Sequence, residues 1–208
     1  RARNSLRSRM TSSPAQPETR VDGRAARGER TRNSIIDALH ALLRESASEV
    51  GARAVAERAG VSMRSVFQHF SDMESVYVEL AERQTEVIRP HLASIDTRLP
   101  LSERIERIVI ARDEMFAAIA PVRSAVNRHR STRTSPSIRA NLLRLHRAQR
   151  EQVLSTFPTE IGGDERLLLQ VDVWLSFETW DQFTAQHGLS RAATRGHLQS
   201  LLQSVLTR

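Results

Sequence analysis

The chain has 208 residues, enough for one or two compact domains, and 39% of them are hydrophobic while only 4% are aromatic. The absence of cysteine excludes disulfides, thiol catalysis and cysteine-ligated zinc, and no apolar run is long enough to span a bilayer. The formal net charge is +7, and all 31 basic residues are arginine. A core poor in aromatics and built from Leu, Val, Ile and Ala favours helices over sheets.

Residues 1–27 form an arm rich in arginine, serine and proline. They contain almost no large apolar residues, so we expect the arm to be disordered. Two interpretations of the arm stay open. It is either a solvated tail or a basic extension that follows DNA phosphates or enters a minor groove.

Helical spacing of apolar residues follows the arm. Residues 29–44 predict a first helix, 52–59 a short second one and 63–69 a third. Ser71 and Glu74 have the spacing of a capping box, with Asp72 as a competing cap, and open a fourth helix. That helix extends to about Leu92, and Pro90 is expected to kink or end it.

The rest of the chain also shows helical periodicity. We predict helices over 102–120, 121–128 (begun by Pro121), 136–157, 164–186 and 190–206. No segment alternates with the period of two that a strand requires. The predicted fold class is therefore all-α.

Residues 54–62 read Ala-Val-Ala-Glu-Arg-Ala-Gly-Val-Ser and meet the needs of a helix-turn-helix in order. Ala56 and Ala59 allow two helices to approach closely, and Gly60 tolerates the positive φ of the turn. Val61 fills the space between the helices, and Ser62 caps the next one. The second helix of such a motif enters the major groove of DNA.

The polar face of this motif provides the candidate DNA contacts. Arg64 can bridge O6 and N7 of guanine, Ser65 and Gln68 can reach base edges or phosphates, and His69 is placed to bond a phosphate. The predicted DNA-binding set is Arg53, Ser62, Met63, Arg64, Ser65, Phe67, Gln68 and His69.

The sequence over about 29–80 resembles the N-terminal domain of the TetR family of transcriptional regulators. The resemblance rests on a helix of about sixteen residues followed by A-x-A-E-R-A-G-V-S, S-V-F-Q-H-F and S-D-M-E-S-V. It implies a helix-turn-helix domain over 28–74 and a helical domain for effector binding and dimerisation over 75–208. Gly51, Phe67 and Met73 stand where the family usually has phosphate-binding side chains, which suggests a weaker grip on the DNA backbone.

The segment 167–183 supports dimerisation independently, because its apolar residues go nearly all round the helix. One side would face the chain's own core and the other a second subunit, although a central helix in a monomeric core stays possible. The predicted dimer interface consists of Trp174, Leu175, Phe177, Trp180, Phe183, Leu198, Leu201, Leu202 and Val205.

The resemblance also implies a small-molecule effector of unknown identity. Candidate pocket residues between the helices are Met115, Phe116, Ile119, Leu142, His146 and Trp174. Residues of each of these kinds are more often plain core residues than ligand contacts.

These patterns predict a sequence-specific DNA-binding regulator. We expect a homodimeric repressor, soluble and cytoplasmic, that leaves a palindromic double-stranded operator when its effector binds. No cofactor, metal site or membrane partner is expected. An enzyme is disfavoured, because no histidine pair, Gly-rich phosphate loop or nucleophile motif is present. The alternative is an architectural DNA-binding protein of the same fold without an effector.

Overall fold

The computed structural model describes residues 23–45, 50–128 and 136–207, and every regular element within these ranges is helical. The predicted all-α class is confirmed. The elements are α1 (Gly23–Glu45), α2 (Ala52–Ala59), α3 (Met63–His69), α4 (Met73–Ile88), α5 (Leu101–Arg128), α6 (Pro136–Thr156), α7 (Pro158–Ile161), α8 (Glu165–Trp174), α9 (Phe177–Asp181) and α10 (Arg191–Leu206).

The first helix begins earlier than its apolar pattern indicates. The sequence predicts a start at about residue 29, whereas α1 begins at Gly23 and includes residues assigned to the arm. Ala25 and Ala26 are strong helix formers, so the helix extends beyond the last residue that it buries. Residues 1–22 of the predicted arm lie outside the described residues.

Helices α1 to α4 pack around one apolar cluster. Ile35 and Leu39 of α1, Val55 of α2 and Val66 of α3 are all completely buried in it. The turn between α2 and α3 has the predicted form. Gly60 has a φ of 69°, Val61 packs against the cluster, and the Ser62 hydroxyl accepts a hydrogen bond from the Ser65 N–H. Local side-chain chemistry therefore forms the turn between these two helices.

The N-terminus of α4 is capped by Asp72, the competing candidate. Its carboxylate accepts the Ser75 N–H at 2.7 Å, and the Ser75 hydroxyl accepts the Asp72 N–H at 3.4 Å. The capping box predicted for Ser71 and Glu74 is thus wrong by one residue. At its other end α4 gives way at Ile88 to a 3-10 turn, Arg89–Leu92, that contains Pro90, as predicted.

Helix α5 is continuous through Pro121, which corrects the predicted pair of helices over 102–120 and 121–128. A proline in a helix interior lacks the N–H that would bond the carbonyl four residues earlier, here that of Ala117. Packing compensates, because Ile119 and Val122 on either side of it are buried. Tertiary contacts therefore override the local signal of the proline.

The helix predicted over 164–186 is interrupted. Helix α8 ends at Trp174, Ser176 caps the short α9 by accepting the Thr179 N–H at 3.2 Å, and a π-helical turn over Gln182–Gln186 follows. Gly188 ends the segment with a φ of 65°. The serine side chain competes with the helical hydrogen bonds of the backbone, which breaks the helix there.

Two apolar clusters hold the C-terminal part together. One joins α5, α8 and α10, and the other packs Phe116 of α5 against Phe177 and Trp180 of the α9 segment. Between them lies Asp113, a fully buried carboxylate. It accepts hydrogen bonds from the Trp180 indole N–H at 2.9 Å and from Arg191 and Arg195 of α10.

No helix in the described part of the chain is long and apolar enough to cross a membrane.

Candidate functional site

The outer face of α3 is exposed and chemically mixed. Met63 and Phe67 each remain 46% exposed despite being large and apolar, while Arg64 and Gln68 between them are exposed and polar. Val66 points the other way into the core. Exposed apolar groups beside hydrogen-bonding groups suit base edges in a major groove, where thymine methyls lie beside donors and acceptors.

The ion pairs around α3 leave Arg64 available. Arg58 of α2 pairs with Glu45 of α1, and Arg53 pairs with Glu57 one turn along α2 at 2.9 Å. Arg64 makes no ion pair with any described residue. A guanidinium that is not engaged within the chain can give both of its donor positions to a guanine.

Some predicted DNA contacts also have structural roles. The Ser62 hydroxyl caps α3, and Ser65 is half-buried behind it. His69 is half-buried, and its ring lies near Gly28 of α1. Gly51 heads α2 without a side-chain cap, so this helix start has no hydroxyl to offer a phosphate.

Arg32 of α1 ties the recognition helix α3 to α4. Its Nη1 donates to the carbonyl of His69, the last residue of α3, at 2.7 Å. Its Nε and Nη2 grip the Glu79 carboxylate of α4 at 3.2 and 2.5 Å, and its guanidinium stacks 4.3 Å from the centre of the Phe70 ring. These hydrogen bonds lower the pKa of Glu79. We call Arg32, Glu79 and the His69 carbonyl the Arg32 clamp.

A cavity of about 270 Å³ lies between α4, α5 and α6. Its walls are mainly apolar, with a few polar groups at separate points. Helix α4 contributes Ala81, Gln84, Thr85 and Ile88, α5 contributes Ile119, Val122 and Arg123, and α6 contributes Ile138, Asn141, Leu142 and Leu145. This combination of apolar walls and few polar groups is typical of small-molecule sites.

The predicted effector residues do not come together in this cavity. Ile119 and Leu142 line it, whereas His146 lines a second cavity beside α8. Met115 and Phe116 are buried in the aromatic cluster with Phe177 and Trp180, and Trp174 packs against the cluster of α5, α8 and α10. The helical period identifies the buried face but not which buried residue borders empty space.

Gln84 is a cavity residue that the sequence analysis missed, and Arg123 is a second polar residue of the same wall. Gln84 is 7% exposed and its side-chain oxygen has no hydrogen-bond partner among the described residues. The Arg123 Nε likewise lacks a partner, although its Nη2 donates to Glu178 at 2.9 Å. The available signal for Gln84 was a glutamine at helical spacing between Leu80 and Ile88 on an apolar stripe.

Replacing Gln84 by leucine is expected to raise the free energy of unfolding by about 1 kcal/mol, because a buried acceptor without a partner disappears from an apolar wall. Urea denaturation measures the change. Gln152→Leu is the matched control, since buried Gln152 accepts from Arg112 at 2.6 Å and donates to two carbonyls. The control should destabilise the fold. A loss of stability in both variants would contradict the assignment of Gln84.

Most residues predicted for the dimer interface fill the chain's own core. Leu175, Phe177, Trp180, Leu198, Leu202 and Val205 are buried, and Trp174, Phe183 and Leu201 are half-buried. This corrects the prediction for the six buried residues, because the second apolar side of the segment is covered by α5 and α10. On α8 the outward apolar residues are Leu169 and Val173, which are 60% and 52% exposed.

Comparison with known proteins agrees with this geometry. Residues 35–80 match the family model described as bacterial regulatory proteins, tetR family. No protein of curated function matches the sequence.

Solved structures share the fold over most of the chain. A TetR-family transcriptional regulator from Streptomyces coelicolor superimposes with a TM-score of 0.66 at 20% identity, over 87% of this chain and 80% of that one. A transcriptional regulator from Rhodococcus sp. Rha1 gives 0.57 at 18% identity, over 86% and 96%. The fatty acid degradation regulator FadR from Bacillus halodurans gives 0.53 at 14% identity, over 85% and 94%.

A helix-turn-helix with an exposed recognition face, joined to a second helical unit, defines a DNA-binding transcriptional regulator. Residues 35–80 are similar to the tetR family of bacterial regulatory proteins, and most of the chain shares the fold of the TetR-family regulator from Streptomyces coelicolor.

Proposed function

We propose that this regulator is a homodimeric repressor that binds a palindromic operator in the cytoplasm and releases it when a small molecule enters the cavity between α4, α5 and α6. It carries out no catalysis. The observation that carries the proposal is the position of α4. One half of this helix holds the Arg32 clamp through Glu79, and the other half lines the cavity through Gln84 and Ile88.

A ligand in the cavity can act on DNA binding only if it favours one position of α4 over another. The contacts support such a link. The Asn141 amide of α6 donates to the Ala81 carbonyl of α4 at 3.2 Å, next to the cavity wall. A displacement of α4 would reach the end of α3 through Glu79 and Arg32. The equilibrium between the two positions would then set the affinity for DNA.

Dimerisation is proposed through the outward faces of α8 and α10. Leu169 and Val173 supply exposed apolar area on α8, and Gly196 and Ser200 leave α10 free for close approach. A twofold axis through these helices would present two copies of α3 to two half-sites, which is why a palindrome is expected.

The architectural alternative would need a completely filled C-terminal core. The cavity of about 270 Å³, with a buried glutamine oxygen that has no partner, supports the effector-controlled regulator instead.

Selection from a library of random duplexes tests the DNA-binding part of the proposal. The purified chain should enrich a palindrome. Arg64→Ala should lower affinity for that palindrome by about tenfold or more, because each bidentate arginine–guanine contact is worth about 1–3 kcal/mol. The matched control is Arg139→Ala, which removes an exposed arginine from α6 and should leave operator affinity unchanged. Binding without sequence preference, insensitive to Arg64→Ala, would favour the architectural protein.

A further inference from the structure

A second cavity, of about 590 Å³, lies between α6 and α8 and reaches α5 and the α9 segment. It shares no lining residue with the cavity assigned to the effector. Aliphatic side chains line one side of it: Leu143 of α6 and Leu169 and Val173 of α8, all exposed to about half or more.

Arg112 of α5 lines this cavity as a completely buried cation. Its Nη1 donates to the Gln152 side chain at 2.6 Å and its Nη2 to the Gln149 carbonyl at 3.0 Å, while its Nε has no partner among the described residues. Both acceptors are neutral. Burial lowers the pKa of Arg112 to about 10, so the guanidinium still carries its charge at neutral pH.

The carboxylates that line the cavity are already paired with other arginines. Asp172 bonds Arg150 at 2.9 Å, and Glu178 bonds Arg123 at 2.9 Å. Asp172 attracts Arg112 only at longer range, and burial raises the pKa of Asp172. Arg147, a further cation on the lining, makes no ion pair with the described residues.

A buried charge without a counter-ion is costly, and an anion bound beside it removes that cost. We propose that this second cavity binds a small organic anion, a carboxylate on an aliphatic body, with the carboxylate toward Arg112 and Arg147 and the chain along Leu143, Leu169 and Val173. If the dimer forms across α8 as proposed, the second subunit would close the cavity over the ligand.

Octanoate is the probe, with 1-octanol as the uncharged molecule of equal chain length, and isothermal titration calorimetry on the full chain is the measurement. Octanoate should bind at least about tenfold more tightly than octanol, because a charge-assisted bond to arginine is available only to the carboxylate. Arg112→Met should abolish that preference.

Because Arg112 also holds Gln152, its removal can disturb the fold, so two exposed residues of α6 provide the decisive pair. Arg147→Glu reverses a charge at the second cavity and should weaken octanoate binding at least about fivefold. Arg144→Glu makes the same change at the effector cavity and should leave octanoate binding unchanged. The proposal would be overturned if Arg144→Glu weakened octanoate binding more than Arg147→Glu did.

A second subunit is the other source of a carboxylate for this cavity, and sedimentation of the same variants tests it. If octanoate and octanol bind equally and Arg147→Glu turns a dimer into monomers, a carboxylate of a second subunit occupies the cavity, and the proposed small-molecule site does not exist.

Discussion

Replacing Asp113 by alanine is expected to lower the free energy of unfolding by about 3 kcal/mol, the low end of the 3–5 kcal/mol that breaking a buried ion pair costs. The carboxylate is fully buried and gathers the Trp180 N–H with Arg191 and Arg195. The two arginine side chains are 49% and 35% exposed and can turn toward water once the carboxylate is gone, which keeps the loss at the low end. Thermal or urea unfolding measures it.

The matched control for this change is Asp37→Ala. Asp37 also pairs with an arginine, at 3.3 Å, but its side chain is 75% exposed. Exposed ion pairs contribute about 0–1 kcal/mol, so the control should change stability by less than about 0.5 kcal/mol. Equal effects of the two substitutions would show that Asp113 does not anchor α10.

The contribution of Asp113 to the free energy of unfolding also has a defined pH dependence. Burial alone would raise the pKa of Asp113, but the hydrogen bonds from Arg191 and Trp180 outweigh it and bring the pKa below its ordinary value of 3.8. A carboxyl with a lowered pKa in the folded state stabilises the fold fully above its ordinary pKa. The difference between wild type and Asp113→Ala should therefore be constant above about pH 5 and shrink as the pH falls below 3.8 toward the lowered pKa.

Arg32→Met is expected to reduce operator affinity by about tenfold. Without the clamp, α3 would no longer be held in its position relative to α4. A displaced recognition helix loses base contacts, each of which contributes about 1–3 kcal/mol. The Nε, Nη1 and Nη2 atoms of Arg32 all donate to Glu79 or to the His69 carbonyl, so we expect its effect on DNA to be indirect. Operator affinity measured by a gel shift, together with an unfolding curve of the same variant, separates positioning from loss of fold.

Arg83→Met is the control for the clamp. Arg83 joins α1 to α4 as Arg32 does, through Asp37 and Asn33, and lies 3.9 Å from Glu79 of the clamp, but it has no bond to α3 among the described residues. It should leave operator affinity within about twofold of wild type, because no base contact depends on it. A drop in affinity equal to that of Arg32→Met would mean that the α1–α4 pairing, and not the bond to the His69 carbonyl, matters for DNA.

The helix-turn-helix was predictable from sequence because its determinants are local. The small residues Ala56 and Ala59, the positive φ of Gly60 and the cap of Ser62 all act within one short segment, and Gly60 and Ser62 fix the local backbone there. The exposed face of α3 follows from the same helix period, since burying Val66 turns Met63, Arg64 and Phe67 outward.

The packing of the C-terminal part could not be predicted, because it depends on contacts between segments that are distant in the sequence. Periodicity showed that Met115, Phe116 and Trp180 would be buried, but not that they pack against one another while Gln84 and Arg123 border a cavity. It also could not show that Pro121 lies inside a continuous helix or that Ser176 breaks one.

The sequence alone determined the all-α class, the helix-turn-helix and its outward residues, because helix periods, caps and turns are short-range properties of the chain. Only the tertiary structure decided which buried side chains face a cavity, that Arg112 lies buried with no carboxylate bonded to it among the described residues, and which apolar side chains of α8 stay exposed. The physical reason is that an apolar stripe must be buried, but the stripe itself does not specify which neighbouring helix buries it. The packing of the whole chain determines that helix.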